Sequence, residues 1–96
     1  MENQSPMEEK PKITLHYHKI FYKHLLRYSQ KKKAIGKALE LFQKDVLNPS
    51  LNTHKLMGEL AGYWSFSVDY HLRILFRIID KENILLLDIG THEIYR

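Results

Sequence analysis

The stretch from residue 63 to residue 90 limits the fold more than any other part of the chain. In "YWSFSVDY", Trp64, Phe66, Val68 and Tyr70 alternate with Ser65, Ser67 and Asp69. That period of two predicts a strand with one face buried and one polar. "LRILFRIID" repeats it, with Leu72, Ile74, Phe76 and Ile78 on one side and Arg73, Leu75 and Arg77 on the other. "KEN" at residues 81–83 reads as a turn, and "ILLLDIG" is apolar enough for a central strand. If that strand runs unbroken, Ile84, Leu86, Asp88, Gly90 and His92 share a face. Three consecutive strands joined this way make an antiparallel meander.

The sequence before the meander has a different period. Ile13, Leu15 and Tyr17 alternate with Thr14, His16 and His18, which predicts one short strand over 13–18. From Lys19 onward the apolar positions Phe21, Leu25 and Tyr28 fall at i, i+4 and i+7, while Lys19, Lys23 and Arg27 recur every four residues on the other side. "KKKAIGKALELFQKDVL" predicts a second helix with Ile35, Ala38, Leu39, Phe42 and Val46 inward. It ends before Asn48-Pro49, because the residue preceding a proline is pushed out of the helical region. Gly36 weakens this helix and would permit close packing against the first one. Residues 48–61 read as a loop with one short extended piece. The expected architecture is therefore α+β, in the order β-α-α-β-β-β, with two N-terminal helices packed on one face of an antiparallel sheet. The other face would carry Ser65, Ser67, Arg73, Arg77 and Asp88 and stay uncovered.

At 96 residues, one domain is expected: a polar, proline-containing and disordered tail over 1–12, then a folded domain over 13–96. No apolar run approaches the roughly 20 residues of a membrane span, and "MENQSPMEEKPK" lacks the apolar core of a secretory signal. Cysteine is absent, which removes disulfide and thiolate chemistry and suits a cytoplasmic location. Charge is concentrated: residues 13–49 hold eight Lys/Arg against two acids, within a net formal charge of +4. Such a block points to a polyanionic partner, with a solvated helical surface as the alternative.

The chain has six histidines. His16 and His18 form H-x-H on a strand, but two imidazoles without a thiolate or carboxylate fall short of a zinc site, so no metal is expected. His24 lies within the first helix and His71 at a strand turn. His54, in the loop "LNTHKL", and His92, at the end of the last strand, lie where functional groups concentrate. Imidazole can act as acid or base near neutrality. Two histidines and an arginine are the groups that metal-free RNA cleavage needs. One base takes the ribose 2′-proton, one acid protonates the leaving 5′-oxygen, and a cation stabilises charge on phosphorus.

The residues "LMGELAGYWSFSVDYHLRILFRIID" followed by "ILLLDIGTHEIY" resemble the RelE/ParE superfamily of type II toxins, and most of all its RelE/YafQ branch of ribosome-dependent mRNA endoribonucleases. The shared pattern is L-x-G-x-L-x-G-x-W-S, then Leu-Arg-Ile-Leu-Phe, then Ile-Gly-Thr-His and a tyrosine, and it covers about residues 13–96. The resemblance implies a toxin that enters the ribosomal A site, cleaves mRNA there without metal or cofactor, and so inhibits translation. Arg73 matches the arginine that contacts the scissile phosphate. His92 matches a catalytic His or Arg, and His54 a YafQ-like histidine just before the L-x-G motif. Tyr95 matches the C-terminal aromatic that stacks on a nucleobase. Two positions depart from the pattern. His71 stands where the branch tends to have Asp, and could itself move a proton. Ser67 stands where some relatives carry a basic or histidine side chain.

Under this resemblance Lys19, Lys23, Arg27, Lys31, Lys32, Lys33 and Lys37, with Arg77 and Arg96, would contact RNA phosphates. Partners implied are a cognate antitoxin protein, the ribosome and mRNA, and operator DNA bound only by the toxin–antitoxin complex. Two other readings stay open: a ParE-like DNA gyrase inhibitor, and a catalytically decayed RelE-fold binding module.

Overall fold

A computed structural model describes residues 13–91. The expected tail over 1–12 and the site residues His92, Tyr95 and Arg96 lie outside the described residues. Strand β1 (Thr14–Tyr17) leads into helix α1 (Lys19–Leu25). A 3-10 stretch over Leu26–Lys31 links α1 to helix α2 (Lys32–Lys44). A short strand β2 (His54–Lys55) then precedes the meander β3 (Trp64–Ser67), β4 (Arg73–Asp80) and β5 (Asn83–Gly90). The extended piece expected within 48–61 is β2.

The five strands form one sheet in the order β1-β5-β4-β3-β2. The pairs β2–β3, β3–β4 and β4–β5 are antiparallel, whereas β1 lies parallel to β5. The sheet is therefore mixed. The first strand returns to its neighbour only after the whole helical hairpin and the rest of the meander, so periodicity alone could not set its direction.

His18 is not the last residue of a strand. It caps α1, its Nδ1 accepting the Ile20 N–H at 3.0 Å. The α-helix stops at Leu25, short of the expected apolar row, and the chain goes on in 3-10 geometry to Tyr28, where the backbone leaves helical geometry (φ −119°, ψ 34°) and the hairpin turns. Helix α2 buries Ile35, Ala38 and Phe42, as its pattern requires. Gly36 does not mediate close packing: it is exposed, and a Cβ built on it meets nothing within 4 Å.

The core lies between the hairpin and one face of the sheet. Phe42 stacks on Phe66 with ring centroids 4.1 Å apart and meets Phe76 edge-on at 4.9 Å. Phe21, Leu72, Ile74, Leu86 and Ile89 complete the layer, all fully or almost fully buried. Offset and edge-to-face pairs of this kind add about 0.5–1.5 kcal/mol each beyond the area they bury.

Three features of the meander differ from simple alternation. First, β5 is bulged: Leu75 pairs with Asp88 but Phe76 pairs with Leu86, so Leu87 is the extra residue. The bulge lets both Leu86 and Ile89 enter the core and ends the single-face row expected from Ile84 to Gly90. Second, Tyr70 does not continue the inward row. Strand β3 ends at Ser67, and Tyr70 sits 85% exposed in the turn before β4. Third, the polar face is not open at its centre, because Ser65 is fully buried and Leu75 is 8% exposed. Asp88 pairs with Leu75, and its Oδ1 also accepts the Nδ1–H of His24 on α1 at 2.6 Å.

A candidate RNA-processing corner of the sheet

Antiparallel partners point to the same face, so the register shows which side chains share a surface. Away from the helices, one row runs across Ser67, Arg73 and Gly90. The next row includes His54, Ser65 and Leu75. Arg73 opens β4 beside Gly90, the last residue of β5. His54 on β2 is two strands away from Arg73 and one row along. With strands about 4.8 Å apart, the two Cα atoms are about 12 Å apart, close enough for both side chains to reach one phosphodiester. His71 and Tyr70 lie in the turn that leads into Arg73. The structure thus gathers His54, His71 and Arg73 at one corner. The chain leaves β5 at the same corner, two residues before His92.

The side chains there are held by local bonds. Asn52 adopts a left-handed conformation (φ 51°, ψ 43°), which asparagine tolerates better than most residues. Its carbonyl lies 2.8 Å from His54 Nδ1. A carbonyl can only accept, so Nδ1 carries the proton and Nε2 of the neutral ring presents a lone pair. Gly58 and Gly62 of the L-x-G-x-L-x-G motif have φ of 68° and 99°. The motif's glycines are therefore backbone requirements of the loop that returns the chain from β2 to β3.

The turn before β4 is built on Asp69. Its Oδ1 accepts the backbone N–H groups of His71 and Leu72, both at 2.9 Å, and its Oδ2 forms an ion pair with Lys31. The Lys31 ammonium bond, with the two backbone donors, lowers the Asp69 carboxyl to about 2. Arg73 donates from a guanidinium nitrogen to the Tyr70 carbonyl at 3.3 Å, and the Tyr70 and His71 rings meet edge-on at 4.9 Å.

Other expected site residues lie elsewhere. Arg77 is on the Arg73 face but four residues along β4, beside Leu85 in a row that continues to His16. Lys19 and Lys23 on α1, Arg27 on the 3-10 stretch, and Lys32, Lys33 and Lys37 on α2 are exposed on the helical layer. Lys31 is committed to Asp69, so it tethers the hairpin to the corner and is less available to a phosphate. His16 donates from Nε2 to Asn83 Oδ1 at 2.8 Å, and His18 is the α1 cap, so the H-x-H pair is engaged separately. Among the described residues, no three of His, Cys, Asp or Glu cluster so as to hold a metal ion, and no helix is long and apolar enough to cross a membrane.

Sequence periodicity missed Asn52, Tyr70 and Lys55. Asn52 was legible only as a turn-forming residue. Asp69, a residue type that closes turns on its own backbone, was the signal that the strand stops before Tyr70. Lys55 places its ammonium 5.6 Å from the Trp64 ring centre on the edge strand.

Several solved structures match this architecture. A metal-bound toxin from Helicobacter pylori matches with a TM-score of 0.70 at 22% identity, covering 88% of this chain and 99% of that one. YafQ from E. coli strain BL21(DE3) matches at TM-score 0.69 and 16% identity, covering 88% and 98%. A YoeB/ParE toxin from Agrobacterium tumefaciens matches at 0.68 and 14%, covering 83% and 99%. The chain has the YafQ-like toxin fold. YafQ within the E. coli DinJ-YafQ toxin–antitoxin complex matches at TM-score 0.67 and 17% identity, over 86% of this chain and 96% of that one. No protein-family model and no curated protein matches the chain. At such low identity the likeness lies in the fold, which is what places β2, β4 and the end of β5 around one corner.

Proposed function

We propose that this protein is the toxin of a toxin–antitoxin pair and acts as a ribosome-dependent endoribonuclease. The reading rests on one observation above all: in a YafQ-like fold, the register puts His54 and Arg73 on one sheet face, with Arg73 beside the strand end that leads to His92.

In this mechanism His54 Nε2 takes the proton from the ribose 2′-hydroxyl. The Asn52 carbonyl holds the ring in the tautomer that this role requires. The 2′-oxygen then attacks phosphorus, and the bond to the 5′-oxygen breaks. His92 gives that oxygen its proton, with His71 as a second proton carrier at the same corner. The products are a 2′,3′-cyclic phosphate and a 5′-hydroxyl, so atoms and protons balance with no metal or cofactor. Arg73 stabilises the charge that develops on the non-bridging oxygens. Tyr95 stacks on a base. The lysines and arginines of the helical layer, with Arg77 and Arg96, bind ribosomal RNA phosphates and set orientation. By analogy with the DinJ-YafQ complex, a cognate antitoxin silences the protein.

The test is induced expression of the wild type and of Arg73→Ala in bacterial cells, with mRNA 5′ ends mapped by primer extension. The expected result is growth arrest with new codon-spaced ends for the wild type and their loss in the variant. Growth arrest without new mRNA ends, accompanied by loss of DNA supercoiling, would replace this reading with gyrase inhibition.

A further inference from the structure

We propose that Tyr70 is a stacking platform for a nucleobase of the RNA held at the Arg73 corner, a contact that sets affinity and base preference. This rests on the ribonuclease reading above.

The residue is 85% exposed, in a domain whose four phenylalanines are all fully buried. A single exposed aromatic is ordinary on a protein surface. What sets Tyr70 apart is how its position is held. The turn is closed by Val68 N–H to Leu72 carbonyl at 2.8 Å and by the two backbone bonds to Asp69 Oδ1. Lys31 anchors the same Asp69 from the helical hairpin. The Tyr70 carbonyl takes a bond from Arg73, and His71 meets the ring edge-on. The ring is therefore presented on a braced turn whose backbone is tied to the guanidinium proposed to hold the scissile phosphate.

A cation for the phosphate beside an open aromatic ring for the base is the pairing by which proteins bind single-stranded nucleic acid. A phosphate on Arg73 brings its flanking nucleotide toward the Tyr70 turn. Stacking on a flat ring favours purines over pyrimidines by overlap area, so Tyr70 adds a purine preference at one codon position. It does not transfer a proton. The phenol hydroxyl is not needed for this role, and the ring is.

The experiment is single-turnover mRNA cleavage on programmed ribosomes, comparing the wild type with Tyr70→Ala, Tyr70→Leu and Tyr70→Phe across A-site codons. Because Tyr70 is exposed, all four proteins should melt together. Tyr70→Ala and Tyr70→Leu are expected to raise the toxin concentration for half-maximal rate about tenfold, within the range of one base–aromatic stack. Their rate at saturation should change much less, and the purine preference should shrink at one codon position. Tyr70→Phe should behave as the wild type. Unchanged half-saturation in Tyr70→Ala would overturn the assignment, as would a Tyr70→Phe as impaired as Tyr70→Ala. If the wild type cleaves nothing, the ribonuclease reading fails first. Binding of a fluorescein-labelled single-stranded RNA hexamer then decides Tyr70 separately: about tenfold weaker binding by Tyr70→Ala supports the platform, and equal binding refutes it.

Discussion

Asp69→Asn tests how the turn at the corner is held. In the wild type the carboxylate accepts two backbone N–H groups and pairs with Lys31. An asparagine oxygen can keep the backbone bonds but loses the ion pair. The Asp69 carboxyl falls from an ordinary 3.8 to about 2. A displacement of just under two units corresponds to at most ~2.5 kcal/mol of linked stability. The Lys31 and Asp69 side chains are 43% and 33% exposed, so solvent screening reduces this to about 1 kcal/mol or less. The direction follows from the lowered folded-state value. Between the unfolded and folded values the unfolded chain binds the proton and the folded chain does not. The contribution is therefore complete above about pH 5 and is lost as pH falls toward 2. Urea unfolding followed by Trp64 fluorescence, from pH 7 to pH 2.5, measures it. The wild type should exceed Asp69→Asn by about 1 kcal/mol at pH 7 in low salt, with the gap falling to about a third of that by pH 2.5 and narrowing in 1 M salt. A constant gap across pH would refute the ion-pair account and leave only a local packing effect.

Gly36→Ala should stabilise the domain by about 0.5–1 kcal/mol, a rise of several degrees in melting temperature, because the position is exposed, helical and sterically open. A fall in melting temperature would contradict that. Phe42→Ala should cost about 3–5 kcal/mol by chemical denaturation, since the ring is fully buried between Phe66 and Phe76. Replacing Lys19, Lys23 and Arg27 together with alanine should lower the salt dependence of ribosome binding by about 0.7–0.9 in log–log slope for each phosphate that is no longer neutralised. An unchanged slope would make these residues a solvated surface only.

Much of this architecture could be read from residue order. The alternation in Trp64–Ser67 and Arg73–Phe76 and the 3.6-residue period in Ile35, Ala38 and Phe42 are direct consequences of burying one face. The same logic stopped short where tertiary contacts decide. The parallel pairing of β1 with β5 joins residues about seventy positions apart, which no local pattern records. The bulge at Leu87 shifts the phase inside a nearly uniform apolar run, so Ile89 joins Leu86 in the core while Asp88 pairs with Leu75, and no period read from the sequence shows that Asp88 also meets His24. Tyr70 kept the strand's parity into a turn, and parity cannot tell an inward residue from an exposed one once the ladder has ended. His54 and Arg73 were legible as chemical types; that they share a face emerged only from the register of three strands.

The central claim concerns chemistry at the His54–Arg73 corner, and the ends of the cleaved mRNA test it most directly. Wild-type protein and His54→Ala would be incubated with programmed ribosomes and the fragment termini identified by mass spectrometry. The account predicts a 2′,3′-cyclic phosphate and a 5′-hydroxyl from the wild type, at a single-turnover rate reduced about 10²–10⁴-fold in His54→Ala. Fragments ending in a 3′-hydroxyl and 5′-phosphate, or an undiminished rate in His54→Ala, would contradict it.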